Sequence, residues 1–169
     1  TLDDCLRLVS LRARLVRECR ECEGSMAAVR ASAADAEKFI EAAEASERVS
    51  VAAINGARSV VISGSGDAVA KVLGVMEDAS IMGRRLPVKH AFHSPSMGGI
   101  VKDYEAALSD VRLLSPSIRM VSTVRGHEDI TSDVTLPSYW LEHLMRPVRF
   151  MEAVERSWDL GGRVFVEMG

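Results

Sequence analysis

Apolar residues recur along this chain with two periods, three-to-four and two, and the switches between them predict its elements. Residues 1–21 read as a helix, with Thr1 at the N-cap position and Asp4 three residues on, a weak capping box. Two apolar stripes run along it, Leu2-Leu6-Val9-Ala13-Val16 and Cys5-Leu8-Arg12-Leu15-Cys19, leaving Arg7, Arg14 and Arg17 on a solvated face. The second stripe carries a charge in its middle. A guanidinium flanked by apolar residues one turn above and below must reach water or meet an anion, because an unpaired buried charge is very costly. That singles out Arg12.

Gly24 breaks the helix, and the period then changes repeatedly. Residues 26–29 predict a strand, and 33–45 a helix with Ala36, Phe39, Ile40 and Ala43 inward. Residues 51–55 and 59–63 predict two strands around Gly56-Ala57-Arg58. A helix over 67–78, through Val69, Val72, Leu73 and Met76, and a strand over 84–88 complete the unit. Strand-helix-strand-strand-helix-strand is the split βαβ, ferredoxin-like order. Downstream, helices are expected over 98–109 and 137–145, and over 147–160 with Pro147 in the first turn. Strands are expected over 118–123 and 164–167. This alternation suits an α/β layer without completing a sheet. The expected fold class is therefore α/β, with residues 25–88 forming a small inserted lobe and residues 1–24 and 89–169 belonging to a large one.

Composition narrows the function classes. With 47% hydrophobic and 27% charged residues, the 169-residue chain reads as soluble and globular. A formal net charge of -3 gives no electrostatic reason to expect nucleic acid or an acidic membrane as partner. No apolar run approaches the roughly 20 residues that span a bilayer. Arg7, Arg12, Arg14 and Arg17 break any signal-peptide pattern, so a cytoplasmic location is expected. Cys19 and Cys22 form a C-x-x-C, but zinc would need two further ligands at suitable spacing. They and Cys5 read as core-filling thiols of a reduced chain.

The run from Leu86 to Met97 sets two histidines, an aromatic and two prolines between an apolar segment and a helix. A loop there can hold a catalytic base on a rigid scaffold. His93 is the candidate, since neutral imidazole takes up and returns protons near neutral pH. His90 lies three residues away, but no carboxylate follows at matching spacing and no metal site is expected. His127 and His143 stand in weaker contexts and receive no role. No G-x-S-x-G nucleophile elbow occurs, and Gly64-Ser65-Gly66 lacks its spacing.

His90-Ala91-Phe92-His93 closely resembles the His-Ala-Phe-His signature of malonyl-type acyltransferase domains in modular polyketide synthases. Residues 6–14, 51–56, 59–64, Tyr139-Trp140, Arg146-Pro147-Val148-Arg149-Phe150 and 166–169 look like further blocks of that family, in its order. The resemblance implies an α/β-hydrolase-like large lobe with a ferredoxin-like insertion. It implies that His93 is the general base of a Ser-His dyad and that the backbone carbonyl of Arg146 orients it. Arg12 matches the arginine that forks onto the free carboxylate of a malonyl group, a geometry that suits guanidinium. His90 and Phe92 fall on the substrate side. Phe92 matches the position where family members taking methylmalonyl tend to carry a serine, although a methyl group is worth only about 1–3 kcal/mol in an apolar pocket. A core role for Phe92 under the loop is compatible with this.

The implied activity is transfer of a malonyl, or substituted malonyl, unit from CoA through an acyl-serine to the phosphopantetheine thiol of an acyl carrier protein. No resident cofactor is implied; malonyl-CoA is the substrate. The implied partners are the carrier protein, neighbouring synthase domains such as the ketosynthase and its linker, and the remainder of the same domain. In the family the nucleophilic serine precedes the arginine, which would put it ahead of Thr1 and make this chain the C-terminal half or slightly more of a domain, inactive alone. The alternative is a non-catalytic structural or carrier-docking fragment of a polyketide or fatty-acid synthase. Departures from the family pattern are Ser96-Met97-Gly98-Gly99, Gly126-His127-Glu128 and the stretch 19–24.

Overall fold

The computed structural model describes residues 1–126, 129–130 and 132–168; His127, Glu128, Thr131 and Gly169, and with them part of the variant turn and the last block, lie outside the described residues. Helix α1 spans Leu2–Glu18, and the Thr1 hydroxyl accepts the Asp4 amide at 3.2 Å. Of its two apolar stripes, the one with the arginine is covered. Leu8 is buried and Leu15 and Cys19 partly so, packed with Met97, Ile100, Tyr104, Leu108 and Leu144; of the other stripe only its last member, Val16, joins them. Leu2, Leu6 and Val9 of the other stripe are 74%, 56% and 65% exposed.

The helix ends short of residue 21. Cys19 turns into extended backbone, Arg20–Cys22 forms a 3-10 turn, and Cys19 and Cys22 are joined as a disulfide with Cα atoms 5.4 Å apart. The expectation of reduced thiols is thereby corrected. A helix continued through position 22 would have kept these side chains one turn apart; the tighter turn brings the sulfurs together. Cys22 does fill the core, fully buried, and Cys5 stays free and exposed.

A ferredoxin-like unit follows. Strands β1 (Ser25–Val29), β2 (Val49–Gly56), β3 (Ser59–Gly64) and β4 (Gly83–Arg85) form one antiparallel sheet in the order β2-β3-β1-β4. Helices α2 (Ala33–Ala42) and α3 (Gly66–Asp78) pack on it through Ala36, Ile40, Val69, Val72 and Met76, against Ala27, Val29, Val51 and Ile62. Ser32 caps α2, its hydroxyl accepting the Asp35 amide at 3.1 Å. α2 stops before the expected residue 45, because Glu44 adopts a left-handed φ of 50° and turns the chain. β4 begins one residue early, and pairing ends when Leu86 donates to the Met26 carbonyl, since Pro87 has no N–H to continue it. Ser65 is simply the N-cap residue of α3.

The rest of the chain departs more from expectation. A 3-10 turn over Pro95–Ile100 precedes a shorter helix, α4 (Val101–Leu108). The strand expected over 118–123 is only β5 (Met120–Val121), paired with β6 (Asp129–Ile130). Helix α5 (Pro137–Met145) stands as expected. Helix α6 (Phe150–Asp159) begins three residues after Pro147. The reason is tertiary: Val148 lies in a parallel bridge with Ala53, donating to the Ala52 carbonyl at 2.9 Å and accepting from Ile54 at 2.8 Å. Those groups are committed to the edge of β2 and unavailable to a helix. No strand forms over 164–167, where Val164 and Val166 are 85% and 73% exposed and no ladder partner exists among the described residues. A short apolar segment becomes a strand only where another edge meets it.

Candidate active site

The loop that carries the histidines is pinned on both sides. Gly24 donates to the Lys89 carbonyl at 3.0 Å and Ala91 to the Cys22 carbonyl at 2.9 Å, so the loop runs antiparallel to the exit from α1. A side chain at Gly24 would collide with the Gly64 carbonyl and the Ala91 methyl, which explains glycine there. Buried Ser94 ties the loop's end to its middle, donating to the Ala91 carbonyl at 2.6 Å and accepting from the Ser96 amide.

His93 occupies the left-handed region at φ 57°, a conformation that persists only when the surroundings over-determine it. Two contacts do so. The Ser50 hydroxyl on β2 donates to the His93 carbonyl at 2.9 Å, and the His93 Nδ1 lies 2.9 Å from the Arg146 carbonyl. A carbonyl only accepts, so Nδ1 carries the proton and Nε2 is left with its lone pair. The Arg146 carbonyl is available because Arg146 is the C-cap of α5 and already extended, φ -80° and ψ 157°. The Val148 bridge to β2 then fixes that segment in place.

Arg12, His90 and Phe92 meet at a cleft of about 460 Å³, completed on the α1 side by Val9, Ala13, Val16 and Arg17. The rings of His90 and Phe92 are 5.9 Å apart, and Phe92 also packs on the cluster under α1. Among the described residues no carboxylate pairs with Arg12. His93 does not line this cleft, but the Arg12 charge reaches it. Burial first, and that guanidinium second, hold the His93 pKa below 6.5, against a raising effect from the Arg146 carbonyl. Buried Tyr104 titrates high because burial outweighs the same cation.

His143, given no role from its sequence context, belongs to this corner too. Its ring stands edge-on to His93 with centroids 6.2 Å apart, and Tyr139 and Trp140 lie 6.5 and 6.0 Å away. Burial, Arg12 and His93, in that order, lower its pKa to about 4. The available signal was helical spacing, since Tyr139 and His143 are four apart on α5 and share a face. Ser50 was also missed, and only its polarity between Val49 and Val51 marks it. No group of three metal-ligating side chains comes together among the described residues.

Comparison with known proteins now bears on this geometry. The acyl transferase domain family matches residues 1–169. The chain belongs to that family. Polyketide synthase GfsB of Streptomyces halstedii is 37% identical over 170 residues, which are 100% of this chain and 3% of that protein. The acyltransferase domain from the second module of the salinomycin polyketide synthase matches with a TM-score of 0.87 and 36% identity, over 95% of this chain and 37% of its own. The acyltransferase domain of SpnD, solved in complex with 2-(pent-4-yn-1-yl)malonyl, gives a TM-score of 0.83 and 26% identity, over 93% and 36%. The acyltransferase chain thus spans little more than a third of these solved chains. None of its described helices is long and apolar enough to cross a membrane.

The lowered His93 pKa sets a pH prediction for an acyltransferase that uses it as a base. A base must be neutral, so if His93 is the base, activity of the intact domain is expected to be full at neutral pH and to be lost as pH falls through a value below 6.5. Replacing Arg12 with glutamine removes one lowering influence. The acid limb for an uncharged acyl substrate is expected to move to higher pH, as read from the pH dependence of kcat/KM in the intact domain.

Proposed function

We propose that this chain supplies the general base and the carboxylate-binding arginine of an acyltransferase that moves malonyl-type units from CoA to an acyl carrier protein. The reading divides the chain into a ferredoxin-like lobe, residues 25–88, and portions of a hydrolase-like lobe, residues 1–24 and 89–169. In the first half-reaction His93 Nε2 takes the proton of a serine hydroxyl as its oxygen attacks the thioester carbonyl. The tetrahedral intermediate collapses, the C–S bond breaks, and the CoA sulfur leaves with the proton that His93 returns. In the second, His93 deprotonates the phosphopantetheine thiol, the sulfur attacks the acyl-serine, and the serine oxygen recovers its proton. No serine of the 169 residues stands in a nucleophile-elbow pattern.

Arg12 would bind the free carboxylate of the malonyl group, and Phe92 would limit room beside its α-carbon. His90 would line the same space. The observation that carries the reading is a guanidinium on a cleft with no carboxylate partner among the described residues, its charge felt at the histidine. A cation so placed favours an anionic substrate and keeps the base unprotonated.

The test compares the intact domain with residues 1–169 after incubation with labelled malonyl-CoA. Label is expected as an ester on the intact domain, passing to added carrier protein, and none is expected on residues 1–169. A stable ester on Ser65, or on any other serine of these residues, would overturn the assignment.

A further inference from the structure

The corner formed by α5 and the histidine loop contains one group that the proposed chemistry leaves idle. His143 is partly buried, its ring nitrogens take no hydrogen bond among the described residues, and its nearest ring neighbour outside α5 is His93. At 6.2 Å between centroids and 73° between planes, the two imidazoles pack edge to face, the arrangement aromatic pairs prefer. His93 needs such support, because its backbone is left-handed and a single hydrogen bond, Nδ1 to the Arg146 carbonyl, sets its ring. One contact fixes one end of a ring and leaves rotation about that contact. A wall against the ring's side removes it.

We infer that His143 is a positioning residue that holds the His93 ring with Nε2 toward the reacting groups. The inference rests on His93 being the base. The support comes from one rigid piece. Tyr139, Trp140 and His143 share α5, Trp140 Nε1 anchors that helix by donating to the Val134 carbonyl at 2.9 Å, and the next residue after α5 carries the carbonyl that binds Nδ1. Helix α5 therefore presents both the hydrogen bond and the wall. The charged and titratable groups that reach this corner are Arg12 from α1, His93 from the loop and Tyr139 on α5 itself; Tyr104, on neighbouring α4, feels the same guanidinium. With burial and the Arg12 guanidinium both disfavouring its charged form, His143 stays neutral when His93 works, and it does not compete for the proton in transit.

The experiment measures malonyl transfer by the intact domain across pH for His143→Ala, His143→Leu, His143→Phe and His93→Ala. Loss of the ring is expected to cut kcat roughly tenfold or more, as misplacement of a reacting group does, with little change in KM. It should also move the acid limb to higher pH, because His93 becomes better solvated. Phenylalanine keeps the wall and should recover most of the rate and the profile, whereas leucine keeps bulk without a ring and should not. If alanine compromises folding in a thermal melt, the phenylalanine and leucine pair decides alone. Wild-type behaviour of the alanine and leucine variants overturns the inference. So does an equal loss with phenylalanine, which would assign the role to the ring nitrogens. A dead His93→Ala beside normal His143 variants fells this inference only; an active His93→Ala fells the base assignment and this inference together.

Discussion

Replacing Arg12 with alanine in the intact domain is expected to lower malonyl loading about a hundredfold, the roughly 3 kcal/mol typical of removing one partner from a desolvated charge pair. Loading of an uncharged acyl group, such as acetyl, should change only a few-fold. The contrast follows from what the guanidinium meets. Among the described residues it has no carboxylate of its own, whereas Arg17, the other guanidinium on this wall, has Glu18; Val9, Ala13 and Val16 make up the rest of the wall, opposite His90 and Phe92. A free carboxylate entering that cleft gains two charge-assisted hydrogen bonds; a methyl group gains none. The two substrates are best compared at about pH 8, well above the ordinary imidazole pKa. His93 is then neutral with or without Arg12, and the comparison isolates carboxylate binding. Equal losses for both substrates would remove the carboxylate role and leave Arg12 as an electrostatic or packing residue.

Replacing His93 with alanine is expected to abolish transfer, with a loss of at least about a thousandfold, while the melting temperature moves little. The ring's removal costs one hydrogen bond, to the Arg146 carbonyl, and a partly exposed contact. The backbone is the greater concern, since φ at this position is 57° and alanine is less comfortable there. His93→Asn is the companion variant, because asparagine tolerates the left-handed region and its amide can still donate to that carbonyl. Both variants should lose transfer, and asparagine should keep the unfolding temperature closer to wild type. Substantial transfer by a well-folded His93→Asn would show that another group takes the proton.

The outline of the ferredoxin-like unit was legible because each of its segments declares a buried face by itself. Ala36 and Ile40, or Val69, Val72 and Met76, fall on one side of a helix whatever the helix packs against. Thr1 is equally local, since a cap needs only the amide three residues away. The errors lie where a segment's conformation was decided by something remote. Pro147 is acceptable at a helix start, yet Val148 pairs with β2 and postpones α6. Residues 164–167 are an apolar run that suits a strand, yet they meet no edge among the described residues. The cysteine pair read as separate thiols because the turn that joins them depends on how α1 ends.

The site divides in the same way. Arg12 and His93 stand out in the sequence as candidates, one as a charge inside an apolar stripe and the other as an imidazole on a proline-flanked loop. Ser50 and His143 do not. A serine in a strand and a histidine on a helix are unremarkable until the chain returns to place them against residue 93.

From its own order of residues, this chain determined the faces its helices and strands bury, and it marked Arg12 and His93 as candidates by the charge in an apolar stripe and the imidazole on a loop. Only the tertiary structure decided which of two apolar stripes on α1 is covered, which carbonyl meets the imidazole, and which neighbours hold that imidazole in a strained backbone. The physical reason is range. Side-chain periodicity and capping act over a few residues, whereas hydrogen-bond partners and burial are set by whichever distant segment arrives, and a single segment carries no record of that arrival.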